Sequence, residues 1–283
     1  MIETTNQTKL FGILGTPISH TLSPAMHSHI AKQEGIDMAY LPFDVSPASL
    51  GDAMRGIKAM GAGGFNITAP HKIDIMQYLD VVSEDARRMD SVNTIVNRNG
   101  IWYGFNTDGD GFCESLILEG HPIQGKHILL MGAGGAARSL CYTLANRGAE
   151  SITITARSMN KVHIIGDMVE RYTEADFSDV LDKQMQYDII INTTPMGMHP
   201  YEGENPCGFV EQIGAHTVCC DLIYNPGKTV FLQEAEAKGA SVVNGLGMLV
   251  LQGVFAFEHF HEMTLNREKY YKELMDLFRL YRI

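Results

Sequence analysis

Positive charge is scarce in this chain. Only 22 Lys and Arg stand against 33 Asp and Glu, a formal net charge of −11 over 283 residues. A surface of that sign repels phosphate backbones and anionic lipid, so neither nucleic acid nor a membrane is an expected partner. Any anionic ligand must find a local positive site. Cysteine is sparse and unpatterned. Cys113, Cys141, Cys207, Cys219 and Cys220 are odd in number and form no CxxC pair. That spacing argues against a disulfide framework or a zinc site and for reduced, buried thiols. Long hydrophobic runs are missing too. The longest, residues 245–257, is broken by Gln252 and is too short to cross a bilayer. Residues 1–8 are polar, without the apolar core of a secretory signal. A cytoplasmic location is expected. Histidines 20, 27, 71, 259 and 261 show no metal spacing, so structural or surface roles are expected for them and no metal.

What is present is regular alternation. The length suits two domains, and strand-like and helix-like segments alternate throughout, which predicts α/β architecture with mainly parallel sheets. Strands are expected at 9–15, 38–43 and 64–67, with a hairpin of 92–97 and 101–105 around Asn99-Gly100. Ser23-Pro24 reads as an N-cap followed by proline at the first helical position, and Ser46-Pro47 as a second helix start. A helix is expected over 72–79 and another from Asp108 to about 119. Strands at 127–131, 151–156, 187–192, 217–223 and 240–243 follow, and the chain is helical from Leu246, with an amphipathic packing helix over 270–282.

The clearest motif is Gly132-Ala133-Gly134-Gly135-Ala136-Ala137, which fits G-x-G-x-x-[G/A] between an apolar strand and a helix. The first glycine makes the tight turn, and the second lets a pyrophosphate approach the backbone. Free N–H groups and the helix dipole then hold its charge. NAD binders usually carry an acidic residue at the end of the next strand. Here that position is Ala156, followed by Arg157, Ser158 and Lys161. Such a cluster attracts a 2′-phosphate, so NADP is the expected cofactor.

The first half holds four polar clusters where turns would leave strand ends: residues 15–24, 66–72, 91–94 and 104–109. They offer hydroxyls, amides, the Lys72 ammonium and the Asp108 carboxylate, an inventory suited to a small polyhydroxylated acid. Taken with the glycine turn, Asn192-Thr193-Thr194-Pro195-Met196-Gly197-Met198, residues 221–229 and residues 244–252, the chain resembles the shikimate dehydrogenase family over nearly its whole length.

The resemblance implies an N-terminal α/β substrate domain (1–107), a Rossmann-type parallel-sheet NADP-binding domain (108–245), and C-terminal helices (246–283) packing back on the first. It implies reversible NADPH-dependent reduction of 3-dehydroshikimate to shikimate, in aromatic amino acid biosynthesis. It makes Lys72 and Asp108 the catalytic pair. Thr21 and Ser23 would bind the substrate carboxylate with Tyr224 nearby, and Thr68, Asn93, Asp108 and Gln252 the ring hydroxyls. Gly132, Ala133, Gly134, Gly135, Ala136, Arg157, Ser158, Lys161, Thr193, Leu222 and Gly245 would face the cofactor. Three positions depart from the family pattern: Thr21 stands for a usual serine, Ala156 for asparagine, and Asn244 for aspartate or alanine. The Thr21 methyl should crowd the additional C1 hydroxyl of quinate more than the planar C1 of shikimate. Other readings are a quinate or dual quinate/shikimate dehydrogenase, and a non-catalytic NADP-binding sensor. The expected partner is a small molecule only, with the chain a monomer or homodimer.

Overall fold

The computed structural model describes residues 4–19, 21–182, 184–208, 210–211 and 213–279. His20 and the end of the expected 270–282 helix lie outside them. The chain divides into two compact units, Met1–Thr107 with Gly253–Tyr270, and Asp108–Gln252 with Tyr271–Ile283. The C-terminal stretch, expected to act as one segment from residue 246, is thus shared between the units.

The first unit carries β1 (Lys9–Gly15), β2 (Met38–Asp44), β3 (Gly64–Ile67), β4 (Val81–Val82), β5 (Thr94–Arg98) and β6 (Ile101–Phe105), in the order β2-β1-β3-β5-β6-β4. β1 runs parallel to β2 and β3, but β5 is antiparallel to both β3 and β6. The sheet is therefore mixed. The reversal follows from Asn99 and Gly100, whose φ angles of 54° and 87° make the two-residue turn that joins β5 to β6. Its helices are α1 (Ser23–Glu34), α2 (Leu50–Ala59) and α3 (Glu84–Arg88). One face of the sheet closes on Leu14, Phe65, Ile95 and Trp102, all buried.

Two helix starts differ from expectation. Leu22, not Ser23, is the N-cap of α1, so Ser23 and Pro24 are its first two residues. The Thr21 hydroxyl accepts from the Ser23 N–H at 3.3 Å, which gives the turn its side-chain oxygen one position early. Of the expected helix at 72–79 only Asp74–Tyr78 forms, as a 3-10 turn without a side-chain cap. Leu79 is already extended there (φ −100°, ψ 147°) and leads into β4.

The second unit carries β7 (His127–Met131), β8 (Ser151–Thr155), β9 (Asp176–Ser178), β10 (Ile189–Asn192), β11 (Val218–Asp221) and β12 (Ser241–Val243), with α4 (Asp108–Leu118), α5 (Gly135–Asn146), α6 (Met159–Tyr172) and α7 (Val230–Ala237). All its strand pairs are parallel, in the order β12-β11-β10-β7-β8-β9. That is the doubly wound dinucleotide-fold order, with chain direction across the sheet reversing between β7 and β10. α8 (Leu246–His261) and α9 (Arg267–Arg279) complete the chain. Past Gln252, α8 lies against α1. A Cβ on Gly253 would stand 2.0 Å from Met26 Cε, so any larger residue there would have to displace the end of the Met26 side chain.

His27 is fully buried between these helices and the sheet, stacked on Tyr40 at 4.1 Å. Neither of its ring nitrogens has a hydrogen-bond partner among the described residues. Burial, and then the neighbouring His261, push its pKa from 6.5 down to about 3. Between those values the unfolded chain binds more protons than the folded one. Stability is therefore complete above the unfolded pKa and is lost as pH falls toward the folded one. Taking the pH from 7 to 5 should cost about 2 kcal/mol through this side chain. Melting curves of the unaltered protein and of His27→Leu should show a steeper acid-side loss for the former. Parallel losses would contradict the assignment.

Candidate active site

The second unit's site begins with β7, whose Ile128, Leu129 and Leu130 are buried completely. Packed on both faces, the strand ends where parallel neighbours diverge, and Gly132 makes the turn at φ +111°. A Cβ there would stand 2.5 Å from Thr193 Oγ1. Thr193 is held tight by donating its N–H and its hydroxyl to the Met131 carbonyl, at 2.9 and 2.7 Å. Beyond the turn, a Cβ on Gly134 or Gly135 would meet nothing within 4 Å. The start of α5 therefore presents bare backbone N–H groups to open space.

The other wall depends on buried polar groups. Asp221, 1% exposed, accepts from Asn192 Nδ2 (3.1 Å), the Ile223 N–H (3.0 Å) and Thr229 Oγ1 (2.7 Å). Asn192 Oδ1 in turn accepts from the Thr194 N–H and hydroxyl, at 2.9 and 2.7 Å. Burial raises the Asp221 pKa above the ordinary carboxylate value, and those donors oppose it. Thr229 also caps α7 through Leu232 N–H.

Between these walls lies a cavity of about 740 Å³. Gly132, Ala133, Gly134, Arg157, Ser158, Lys161 and Thr193 line it. Gly135 and Ala136 stand in the first turn of α5 outside the lining, and Leu222 and Gly245 are also outside it. Gly245 has a packing reason: its Cβ would stand 2.0 Å from the Leu222 carbonyl oxygen. Tyr201 and Glu204, on the loop after β10, line the cavity and were not anticipated. A positive-φ glycine, open N–H groups at a helix start and an exposed basic pair fit a phosphorylated dinucleotide.

In the first unit, sheet topology gathers the four polar segments. Because β1 and β3 are parallel, their carboxyl ends lie together. Because β5 is antiparallel to both neighbours, its amino end lies beside the carboxyl ends of β3 and β6. Thr68 N–H thus reaches the Leu14 carbonyl (2.9 Å), and the Lys72 carbonyl accepts from Val92 N–H (2.8 Å). Asn93 N–H reaches the Phe105 carbonyl at 3.0 Å. Thr21 Oγ1 donates to Ser23 Oγ at 3.2 Å, and Ser23 is buried where Thr21, Thr68 and Lys72 are half-exposed. Asn93 is 2% exposed, and its amide is engaged by Thr107: Nδ2 donates to Oγ1 and Oδ1 accepts from N–H, both at 2.9 Å. Asn66, part of the expected 66–72 cluster but given no role of its own, is buried here as well. It accepts from Tyr40 Oη at 2.7 Å and donates to Thr94 Oγ1 at 3.2 Å.

The remaining expected residues belong to the second unit. Asp108 is the first residue of α4 and 5% exposed. A Cβ on Gly111 would stand 2.5 Å from the backbone nitrogen of Gln252, so α4 and α8 pack closely there. Gln252 Nε2 donates to the Leu249 carbonyl at 2.8 Å. Tyr224 is half-buried, and burial raises its phenol pKa.

Comparison with known proteins decides the family. Residues 13–95 match the family model described as the shikimate dehydrogenase substrate binding domain, and residues 116–200 match that of shikimate / quinate 5-dehydrogenase. The chain belongs to the shikimate dehydrogenase family. The NADP(+) shikimate dehydrogenase of Caldanaerobacter subterraneus subsp. tengcongensis is 41% identical over 254 residues, 88% of this chain and 90% of that one. Among solved structures, the Listeria monocytogenes shikimate 5-dehydrogenase in complex with shikimate and NAD matches with a TM-score of 0.88. It is 34% identical, with 96% of this chain and 98% of that one covered. The ligand-free 5-ketofructose reductase of a Gluconobacter strain, CHM43, also matches at 34% identity, with a TM-score of 0.84 and coverage of 96% and 100%.

The glycine turn of this family member separates packing from ligand access. Gly132→Ala forces both a left-handed backbone and a collision with Thr193, and should cost about 1–3 kcal/mol of stability. Gly134→Ala meets no protein atom and should leave the melting temperature close to that of the unaltered chain. Thermal melts of the two variants compare them directly, and equal losses would refute this account of the turn.

Proposed function

We propose that this protein is an NADP-dependent shikimate dehydrogenase, an oxidoreductase that reversibly reduces 3-dehydroshikimate to shikimate. The observation that carries the reading is the gathering of the Thr21–Ser23, Thr68–Lys72, Asn93 and Thr107 segments at one end of the first unit's sheet. A polyhydroxylated ring acid needs just this supply of short hydroxyl and amide donors, with a cation to meet developing negative charge. The cavity at the glycine turn, with Arg157 and Lys161 on its wall, supports NADP.

When bound, NADPH supplies the hydride that reduces the substrate ketone. The chain does the rest. As the carbonyl carbon is reduced, negative charge grows on its oxygen, and the Lys72 ammonium stabilises that charge and delivers the proton. In the reverse direction the lysine accepts the hydroxyl proton. Asp108 accepts a hydrogen bond from the substrate hydroxyl and so orients it. Thr21 and Ser23, with Tyr224, take the carboxylate, and Thr68, Asn93 and Gln252 take ring hydroxyls. Arg157, Ser158 and Lys161 hold the 2′-phosphate. The turn from Gly132 to Ala136, with Thr193, Leu222 and Gly245, seats the dinucleotide. Quinate has a tetrahedral C1 with one more hydroxyl, which the Thr21 methyl disfavours. The acidic net charge sets the chain against polyanionic partners, and we place it in the cytoplasm as a monomer or homodimer acting on small molecules.

The test is NADP reduction with shikimate, with quinate, and with neither. Turnover should be fastest with shikimate, and a preference for quinate would overturn the substrate assignment. Lys72→Ala should lower kcat by roughly 10²–10⁴-fold, the usual worth of a general acid, with a smaller change in KM. Near-normal turnover would remove Lys72 from the mechanism.

Replacing Arg157 and Lys161 together by neutral residues should raise the KM for NADP by roughly tenfold or more, since a hydrogen bond to a charged group is worth ~1.5–3 kcal/mol. The KM for NAD should change little. Equal changes for both cofactors would show that the pair does not read the 2′-phosphate.

A further inference from the structure

His71 immediately precedes Lys72 and is completely buried. Its Nε2 lies 2.7 Å from the Val45 carbonyl oxygen, so this nitrogen carries the hydrogen and donates it. Its Nδ1 is buried with no hydrogen-bond partner among the described residues. An apolar side chain of similar size would fill the space and remove the unpaired Nδ1, but it would take the one donor from the Val45 carbonyl. Packing alone therefore gives no reason for an imidazole here, and the one bond it makes needs an explanation.

That bond closes a ring. Val45 N–H donates to the Gly15 carbonyl at 3.0 Å, and Thr16 N–H donates to the Ala69 carbonyl at 3.1 Å. His71, two residues past Ala69, reaches back to Val45. The loops that follow β1, β2 and β3 are thus stitched into a circuit, and the imidazole is its side-chain link. The loop after β3 is further pinned at its own ends. His71 N–H donates to the Thr68 carbonyl at 3.0 Å, and the His71 carbonyl accepts from Ile75 N–H at 2.9 Å. Thr68 and Lys72 stand on either side of the clamped residue.

We propose that His71 is a positioning residue of the dehydrogenase reaction: its Nε2–H bond to Val45 fixes the loop that presents Thr68 and Lys72 to the substrate. The inference rests on the assignment of Lys72 as the proton donor. Loosening the loop moves the ammonium relative to the reacting oxygen, and displacement of a reacting group by about 1 Å costs on the order of 10²-fold in rate. The glycine-turn cavity belongs to the other unit and should not register the change.

The experiment compares His71→Leu, which removes the donor, with His71→Gln, whose amide can place an N–H near the Nε2 position. Full-length proteins are assayed with shikimate and NADP, and NADP binding is measured separately. His71→Leu should bind NADP as the unaltered protein does and lose roughly 10–100-fold in kcat, with a smaller change in shikimate KM. His71→Gln should recover most of that loss. A near-normal kcat in His71→Leu, or a loss in His71→Gln as deep as in His71→Leu, would overturn the proposal. Should His71→Leu not fold, His71→Asn, polar but too short to reach Val45, replaces it with the same two outcomes. Absence of turnover by the unaltered protein would fell the shikimate assignment and this inference together. Turnover that the leucine variant keeps fells the inference alone.

Discussion

A carboxylate buried at the end of a parallel strand must be hydrogen-bonded or it destabilises the fold by several kcal/mol, roughly the price of an unpaired buried charge. Asp221 is in that position, at the carboxyl end of β11. Its demand for donors fixes Asn192 at the end of β10 and Thr229 at the start of α7. Asn192, so oriented, turns its oxygen to Thr194 and bends the loop after β10. The bend brings Thr193 against Met131, and Thr193 then stands where a side chain on residue 132 would have to go. The glycine turn is thus the last link of a chain that starts at one buried acid two strands away. Its φ of +111° is imposed by its surroundings as much as by the turn.

The first unit meets the same problem with backbone groups. The loops after β1, β2 and β3 leave strand ends whose N–H and C=O groups have no ladder partner. They satisfy one another instead, through Val45 to Gly15, Thr16 to Ala69 and Thr68 to Leu14. Here a histidine side chain serves where the second unit uses a carboxylate. The difference suits the ligands each end would hold. A buried acid behind the cofactor wall is neutralised locally and leaves the surface basic, at Arg157 and Lys161. The first unit's end keeps its polar side chains short, and Thr21 turns its hydroxyl toward that of the buried Ser23.

How much of this could be read from residues alone depended on sequence distance. The strand, glycine turn and helix at 127–146 were legible because an apolar run and three glycines are adjacent, and the β5–β6 hairpin because Asn99-Gly100 lies between its strands. Short or polar elements were not: β4 has two residues, β9 three, and α6 and α7 carry no acidic residue in their first turns to mark where they start. The start of α1 was misplaced by one residue because both Thr21 and Ser23 can supply a capping oxygen, and only the fold chooses. Asn192 and Asp221 were visible as parts of motifs, but their bond spans 29 residues and no local spacing announces it. His71 was set aside as structural. Its partner Val45 lies 26 residues earlier, just past the end of β2, a strand whose pairing with β1 had first to be known.

The gathering of the first unit's four polar segments shows why order along the chain is a poor guide to assembly. Two of the four polar segments follow the parallel strands β1 and β3, one precedes β5, and one follows β6. In an all-parallel sheet, a segment that precedes its strand would lie at the opposite end from those that follow theirs. Only the antiparallel insertion of β5, with Asn66 opposite Thr94 and Thr94 opposite Phe105, brings Asn93 beside Thr107 and the Lys72 carbonyl beside Val92. The tight Asn99-Gly100 turn is what makes that insertion possible, at the far end of the sheet from the chemistry. A mixed sheet is therefore a requirement of this site: the same motifs strung on parallel strands alone would not meet.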